Sequence, residues 1–146
     1  MARNYRQGEY VLKNPEKYVG KLPVIYRSSW EFALMRVLDN HPAVTQWASE
    51  SIQIPYKNPF TNRWTVYIPD FFIVYVDKNG KHHAELVEVK PEKETPEYGK
   101  RVSQKTKAIQ QLNLVKWTAA RVFCSKNGIR FRVATEKDLF GRTSRK

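Results

Sequence analysis

Pro69-Asp70 leads into six consecutive apolar residues, Phe71 to Val76. Asp77-Lys78-Asn79-Gly80 follows, and then a run that ends Leu86-Val87-Glu88-Val89-Lys90. This stretch constrains the chain more than any other. A nearly all-apolar run of this length reads as a strand buried on both faces. Asn-Gly is the turn that closes a tight antiparallel hairpin. A long strand from Arg63 to Val76, bent at Pro69, therefore pairs with a return strand from Lys81 to Lys90. Residues i and i+2 share a strand face, so Glu88 and Lys90 point one way and Val87 and Val89 the other. The hairpin makes the strand of Asp70 the neighbour of the strand of Glu88. One Asp, one Glu and one Lys converge on one side of a ribbon, in surroundings where an unpaired carboxylate is costly.

The other elements follow from pattern. Ser28 and Glu31 form a capping box that opens a helix, with Phe32, Leu34, Met35 and Leu38 on its apolar face and Asn40-His41-Pro42 as its stop. Val44 to Glu50 reads as a connector containing Trp47. Ser51 to Tyr56 alternates as a short strand. Pro91 to Gly99 is a charged loop. A long helix runs from about Val102 to Lys126, with Ala108, Leu112, Val115, Ala119 and Val122 as its inner stripe and Asn127-Gly128 as its cap. Ile129 to Val133 alternates as a last strand, and Thr135 to Leu139 makes a closing helical turn. Residues 1–24 read as an irregular arm packed on the body through Tyr5, Tyr10 and Tyr18, and residues 141–146 as a basic tail. The fold class is α/β (α+β): a helix, a three-stranded antiparallel meander, a helix and a strand, in one mixed sheet flanked by helices.

The converging charges are the inventory for metal-assisted phosphodiester hydrolysis. Asp70 and Glu88 supply hard oxygens to Mg²⁺, with Mn²⁺ as a substitute, helped by the Val89 backbone carbonyl. Lys90 positions the attacking water or stabilises charge in the transition state. Magnesium needs few protein ligands, so two or three carboxylates suffice. Glu31 is either the helix cap, a third carboxylate near the metal, or both, and Glu50 is a further acid within reach of the same region. The bland alternative is a cross-strand salt bridge, which a lone Glu-x-Lys would suggest. The three histidines form no metal set, and Cys124 reads as a small buried side chain. Trp30, Trp47, Trp64 and Trp117 read as core residues.

Charge distribution points to the partner. The formal net charge is +12, yet residues 1–99 hold 13 basic and 12 acidic side chains, and residues 100–146 hold 13 basic and 2 acidic. A nearly neutral part carries the carboxylates, and a basic part follows it as a cradle for a polyanion. Arg27, Lys100, Arg101 and Lys105 are candidate clamps on a DNA backbone. Lys107 and Gln111, one helical turn apart, could touch a phosphate or the metal-bound water. No apolar run approaches the roughly 20 residues of a membrane helix, and the basic N-terminus lacks the apolar core of a secretory signal. These features predict a soluble intracellular protein.

Pro69-Asp70 with Glu88-Val89-Lys90, set after a helix carrying Glu31, resembles the PD-(D/E)XK nuclease superfamily. Tyr67-x-Pro69-Asp70-Phe71 looks like its TnsA-type endonuclease branch. A closer resemblance is to the head-completion nucleases of T-even-type tailed phages. It is carried by Asn14-Pro15-x-Lys17-Tyr18, Tyr26-Arg27-Ser28-x-Trp30-Glu31, Trp47-x-Ser49-Glu50, Glu88-x-Lys90-Pro91, Asn113-x-x-Lys116-Trp117-x-x-Ala120 and Thr135-Glu136-x-x-Leu139. The resemblance implies a restriction-endonuclease-like core over residues 25–140 and a divalent-metal endonuclease acting on double-stranded DNA. Asp70 and Glu88 would be the metal ligands, Lys90 the catalytic lysine and Glu31 the helix acid. It also implies portal, head or neck proteins of a phage as partners. The setting would be the cytoplasm of the infected host, with virion association open. No separate DNA-reading domain is present, so little sequence preference is expected. Cutting two antiparallel strands takes two sites or two visits, which leaves room for a homodimer. A TnsA-like transposase subunit and a non-catalytic DNA-binding neck protein are the competing readings.

Overall fold

The computed structural model describes residues 7–138. Tyr5, the end of the closing turn at Leu139 and the basic tail 141–146 lie outside them. The central element is a four-stranded mixed sheet in the order β3-β6-β7-β8, built from β3 (Val44–Ser49), β6 (Phe71–Val76), β7 (His82–Val89) and β8 (Arg130–Ala134). β3, β6 and β7 are antiparallel neighbours, and β8 lies parallel to β7. The β6–β7 hairpin forms as expected, with Phe71 opposite Val87, but its turn is longer than the Asn-Gly pair: Val76 faces His82, and the Asp77 amide donates to Lys81 O at 2.9 Å. Its turn is tied by the Asp77 carboxylate, which accepts from the amides of Asn79 and Lys81 at 2.8 and 3.0 Å. Gly80 takes the positive φ of +83° that such a turn requires.

Two helices cover the two sheet faces. Helix α1 (Ser29–Asn40) places Met35 and Leu38 against Val44, Trp47, Phe71, Ile73 and Val87. Helix α2 (Gln104–Lys126) covers the other face, where Trp117, Ala120 and Cys124 meet Leu86, Phe72 and Val133. A parallel strand can only be reached by a crossover, and α2 is that crossover. Ile129 donates its amide to Cys124 O at 2.9 Å, with Gly128 at φ +69° ending the helix.

The mixed, helix-flanked α+β core is the one expected, but four local readings change. Val44–Ser49 is a full strand of the central sheet, not a connector. A register shift between Val44 and Gln46 breaks its period of two, which hides it from a pattern reading. The stretch from Arg63 to Val76 is two strands in different sheets. β5 (Trp64–Tyr67) pairs only with β4 (Ile54–Lys57) in a separate ribbon, and β6 starts after Pro69-Asp70. The buried stripe of α2 is Asn113, Trp117, Ala120 and Cys124, while Val122 is 51% exposed. Finally, the N-terminal segment is not irregular throughout. β1 (Gly8–Tyr10) pairs antiparallel with β2 (Val24–Tyr26). Tyr10 and Tyr18 do pack on the body, edge-on to Trp47. The buried Asp39 fastens this segment, accepting from the Tyr10 hydroxyl at 2.8 Å and from the Lys13 and Asn14 amides at 2.8 and 3.0 Å.

Of the tryptophans read as core, Trp47 and Trp117 are buried and Trp30 is half-buried, whereas Trp64 is 70% exposed on the ribbon. Cys124 is buried, as expected.

Candidate active site

The site forms where the central sheet ends. β6 begins at Phe71, so Asp70 occupies the position just before it, at the joint between ribbon and sheet. β7 runs past this point to Glu88 and Val89. The unpaired end of β7 thus offers backbone to Asp70: the Val89 amide donates to Asp70 Oδ2 at 2.7 Å. The next amide, of Lys90, turns the other way and donates to Ala134 O at 3.0 Å, so β8 braces the same stretch from its other edge. In a strand, the N–H and C=O of one residue point to the same edge. The Val89 carbonyl therefore faces the side on which Asp70 lies.

Glu88 lies on the α2 face beside Leu86, as period two requires, and is 5% exposed. Such burial is tolerated because each of its oxygens has company. The Tyr67 hydroxyl donates to Glu88 Oε1 at 2.8 Å. Lys90 Nζ lies 3.8 Å from Oε2. Tyr67 is itself buried, and Lys116 of α2 places its ammonium 5.5 Å above the Tyr67 ring.

Electrostatics mark the cluster as strained in charge. Burial first, and the charge of Glu88 second, push the Asp70 carboxyl well above the usual carboxylate range, against the pull of the Val89 amide; Glu31 adds to the push and Lys90 opposes it. Burial also raises Glu88, while Lys90, the Tyr67 hydroxyl and Lys116 hold it down. Lys116 is lowered by burial and by the neighbouring Lys90. Raised carboxylates and a lowered lysine packed together are a frequent signature of a working site.

Glu31 arrives from the first turn of α1. Its amide donates to Ser28 Oγ at 3.1 Å, the expected cap, and its Oε1 accepts from the Arg27 amide at 2.8 Å. It also feels Glu50 and Lys90 electrostatically, and burial raises it. Capping and proximity to the site are therefore both true of Glu31. Glu50 adopts φ +49°, rare for a side-chain-bearing residue, and its amide donates to Asp70 O at 2.9 Å. Its carboxylate holds Arg27 in a two-pronged pair at 3.0 and 3.1 Å.

The chain therefore brings Asp70, Glu88, Lys90 and Glu31 together, with Val89 as a backbone partner. It treats the proposed clamps differently. Arg27 is engaged by Glu50. Lys100, Arg101 and Lys105 are exposed at and before the start of α2. Lys107 and Gln111 are exposed on another side of α2: Lys107 is nine positions before Lys116, half a turn out of phase with it. The lysine that α2 does bring to the carboxylates is Lys116. Both Lys116 and Tyr67 were missed as functional candidates. Lys116 was detectable as the neighbour of Trp117 in the Asn113, Trp117, Ala120, Cys124 stripe, whose spacing of four, three and four marks a helix's buried side.

The basic last third is not one cradle. Arg132 lies 3.1 Å and Arg130 3.8 Å from the buried carboxylate of Glu85, which also accepts from Tyr75. Glu85 and Arg132 line a cavity of about 370 Å³ with Leu34, Leu38 and Ile73, on the α1 side of the sheet and away from Glu88. Lys137 is paired with Glu92 at 3.0 Å.

Among the described residues, no group of three or more His, Cys, Asp and Glu side chains is arranged to hold a metal ion. The donor chemistry at Asp70 and Glu88 nevertheless fits magnesium. Two acceptor-only carboxylates repel each other there, and that ion is held by one or two carboxylates with water completing its shell. Among the described residues, no helix is long and apolar enough to cross a membrane.

A family model described as "TnsA-like endonuclease N terminal" matches residues 41–136. That span includes Asp70, Glu88, Lys90, Tyr67 and Lys116 but stops short of Glu31 and Arg27. The chain is also similar to a protein of Enterobacteria phage T4 named "Head completion nuclease". The two are 33% identical over 142 residues, covering 90% of this chain and 92% of the relative.

Proposed function

The chain belongs to the family of TnsA-like endonuclease N-terminal domains, and we propose that it is a nuclease that hydrolyses phosphodiester bonds of double-stranded DNA with Mg²⁺. Mn²⁺ would substitute, and little sequence preference is needed. The setting we propose is completion of phage heads in the infected host, as the name of the phage relative suggests, with portal, head or neck proteins as partners. The observation that carries the reading is the pair of carboxylates crowded at the sheet end, Asp70 held by the Val89 amide and Glu88 buried against the Tyr67 hydroxyl, with Lys90 3.8 Å from Glu88. A protein that only holds DNA gains nothing from acids that repel phosphate.

Each side chain then has a role. Asp70 and Glu88, with the Val89 carbonyl on the same edge, are the donors for the divalent ion. When bound, that ion polarises the phosphoryl oxygen and lowers the pKa of a water. The Val89 amide fixes the Asp70 carboxylate, and Tyr67 fixes Glu88 by one oxygen. Lys90, anchored near Glu88, keeps an ammonium at the rim of the acidic pair. There it orients the attacking water or binds a non-bridging oxygen as negative charge grows on it. Glu31 adds a carboxylate at the opening, on a rigid first helical turn.

Plasmid incubated with the protein and Mg²⁺, with EDTA, and with the Asp70→Ala and Lys90→Ala variants tests the reading. Metal-dependent cutting lost in both variants supports it. Cutting that survives in either variant overturns the site assignment, and folded protein that binds duplex DNA but cuts under no metal favours a binding role.

A further inference from the structure

The ribbon β4–β5 leaves one face uncovered. Its inner face packs Ile54, Tyr56 and Tyr67 into the cluster beneath α2. On the outer face Trp64, Val66 and Ile68 follow at period two and are 70%, 48% and 39% exposed; Phe60, in the turn, is 56% exposed. Exposed apolar side chains are common singly, but a row of this length marks a contact surface.

The surroundings select the kind of partner. Between Glu50 and Asp70 the chain has no carboxylate, and its two charged side chains are Lys57 and Arg63, both exposed. Lys57 sits directly opposite Trp64 in the register. The turn between them is held rigid: the Asn58 carbonyl accepts from Asn62 at 2.8 Å and its side chain accepts from Phe60 at 2.8 Å. A stiff two-stranded ribbon of this kind fits a DNA groove. Apolar side chains on such elements wedge against base steps, and flanking cations meet the phosphates on either side.

Placement relative to the acids agrees. β5 continues through Ile68 and Pro69 into Asp70. Trp64 stands six positions before Asp70, which at about 3.3 Å per residue is at most about 20 Å. Along the axis of a DNA duplex, about 20 Å is about six base-pair steps.

We infer that the β4–β5 ribbon is a DNA-holding element that seats Trp64 and Phe60 against bases a few steps from the phosphate to be cut. Lys57 and Arg63 meet the adjoining phosphates. The inference takes its ligand from the nuclease reading but does not depend on the chemistry at Asp70.

Tryptophan fluorescence of the full chain, titrated with a short DNA duplex in EDTA, tests it without any cutting. Trp47 and Trp117 are buried and shielded from a surface ligand and Trp30 is half-buried, so Trp64 carries the largest share of any quenching from the ribbon. Duplex should quench the wild type. Trp64→Ala should remove most of the quenching, leaving only what Trp30 contributes, and weaken binding about tenfold or more, while Trp64→Phe keeps most of the affinity. Lys57→Glu should weaken binding and flatten its salt dependence. An unchanged melting temperature is expected for Trp64→Ala, because its side chain is exposed. Unquenched wild type, with Trp64→Ala binding equally well, overturns the ribbon assignment and leaves the nuclease reading intact. Loss of self-association in Trp64→Ala, with DNA affinity untouched, overturns it in favour of a second copy of this chain. Wild type that binds no duplex at all overturns the ribbon assignment, and plasmid cutting with Mg²⁺ then decides the nuclease reading separately.

Discussion

Replacing Tyr67 by Phe removes one hydroxyl and keeps the ring in its pocket under Lys116. The hydroxyl donates at 2.8 Å to Glu88 Oε1, and Glu88 is 5% exposed, so bulk water does not take its place. A hydrogen bond to a charged group is worth about 1.5–3 kcal/mol. Lys90 remains 3.8 Å from the other oxygen, so the charge is not orphaned, and the lower part of that range applies. At about 1.4 kcal/mol per tenfold, the variant should lose about ten- to thirtyfold in nicking rate when Mg²⁺ is limiting. The hydroxyl also holds Glu88 down against the rise caused by burial. Its loss raises Glu88 further, so the acid limb of the pH–rate profile should move to higher pH. Plasmid-nicking rates measured across Mg²⁺ concentration and pH give both readouts, with the deficit largest at low metal and low pH. A Tyr67→Phe enzyme with the wild-type metal dependence and an unmoved acid limb would refute the claim that Tyr67 orients Glu88.

Asp70→Asn should abolish nicking yet raise the melting temperature of the metal-free protein at neutral pH. The native Asp70 carboxyl is raised by burial and by Glu88, so its stabilising contribution is complete below the unfolded value of about 3.9 and is lost as pH rises through the native one. The advantage of Asn should therefore open at neutral pH and close in acid, and calorimetry that finds no such opening contradicts the charge argument. Asp39→Ala strips three donors of a fully buried acceptor; urea unfolding should register a loss of at least about 3 kcal/mol, with faster proteolysis before α1. Glu50→Gln weakens a pair whose side chains are 53% and 35% exposed, so the stability change should stay within about 1 kcal/mol; a larger loss would make the pair structural.

The strongest signals in the sequence were those that physics makes local. The β6–β7 hairpin, the Ser28 cap and the end of α2 each rest on residues a few positions apart, and each was legible. β3 was not, because a bulge interrupts its alternation and its residues are explained only by burial between α1 and β6. Apolar character alone marks Val122 as inward, whereas the true inner side of α2 includes Asn113, whose amide donates to Glu94 O across to the preceding loop. Of the site, Asp70, Glu88 and Lys90 were visible from strand parity. Lys116 was not, since a lysine on a helix is ordinarily solvated, and its approach to Glu88 depends on how α2 crosses the sheet. Arg130 and Arg132 look like part of a DNA cradle in the sequence because their partner, Glu85, lies 45 or more positions earlier in the chain and reaches them only through the parallel pairing of β7 and β8.

The alternation of β5 has a consequence for how such a protein can change over generations. Tyr67 is locked between Glu88 and Lys116, whereas its neighbours Val66 and Ile68 point outward into solvent. Substitutions at exposed positions away from special contacts usually shift stability by no more than about 0.5 kcal/mol. The exposed residues of this strand are thus free to drift under selection for what the ribbon touches, while Tyr67 at its end is held by the acids of the sheet end. One short strand carries two evolutionary clocks, and a new preference for a binding partner can be acquired along it without disturbing the machinery two residues away.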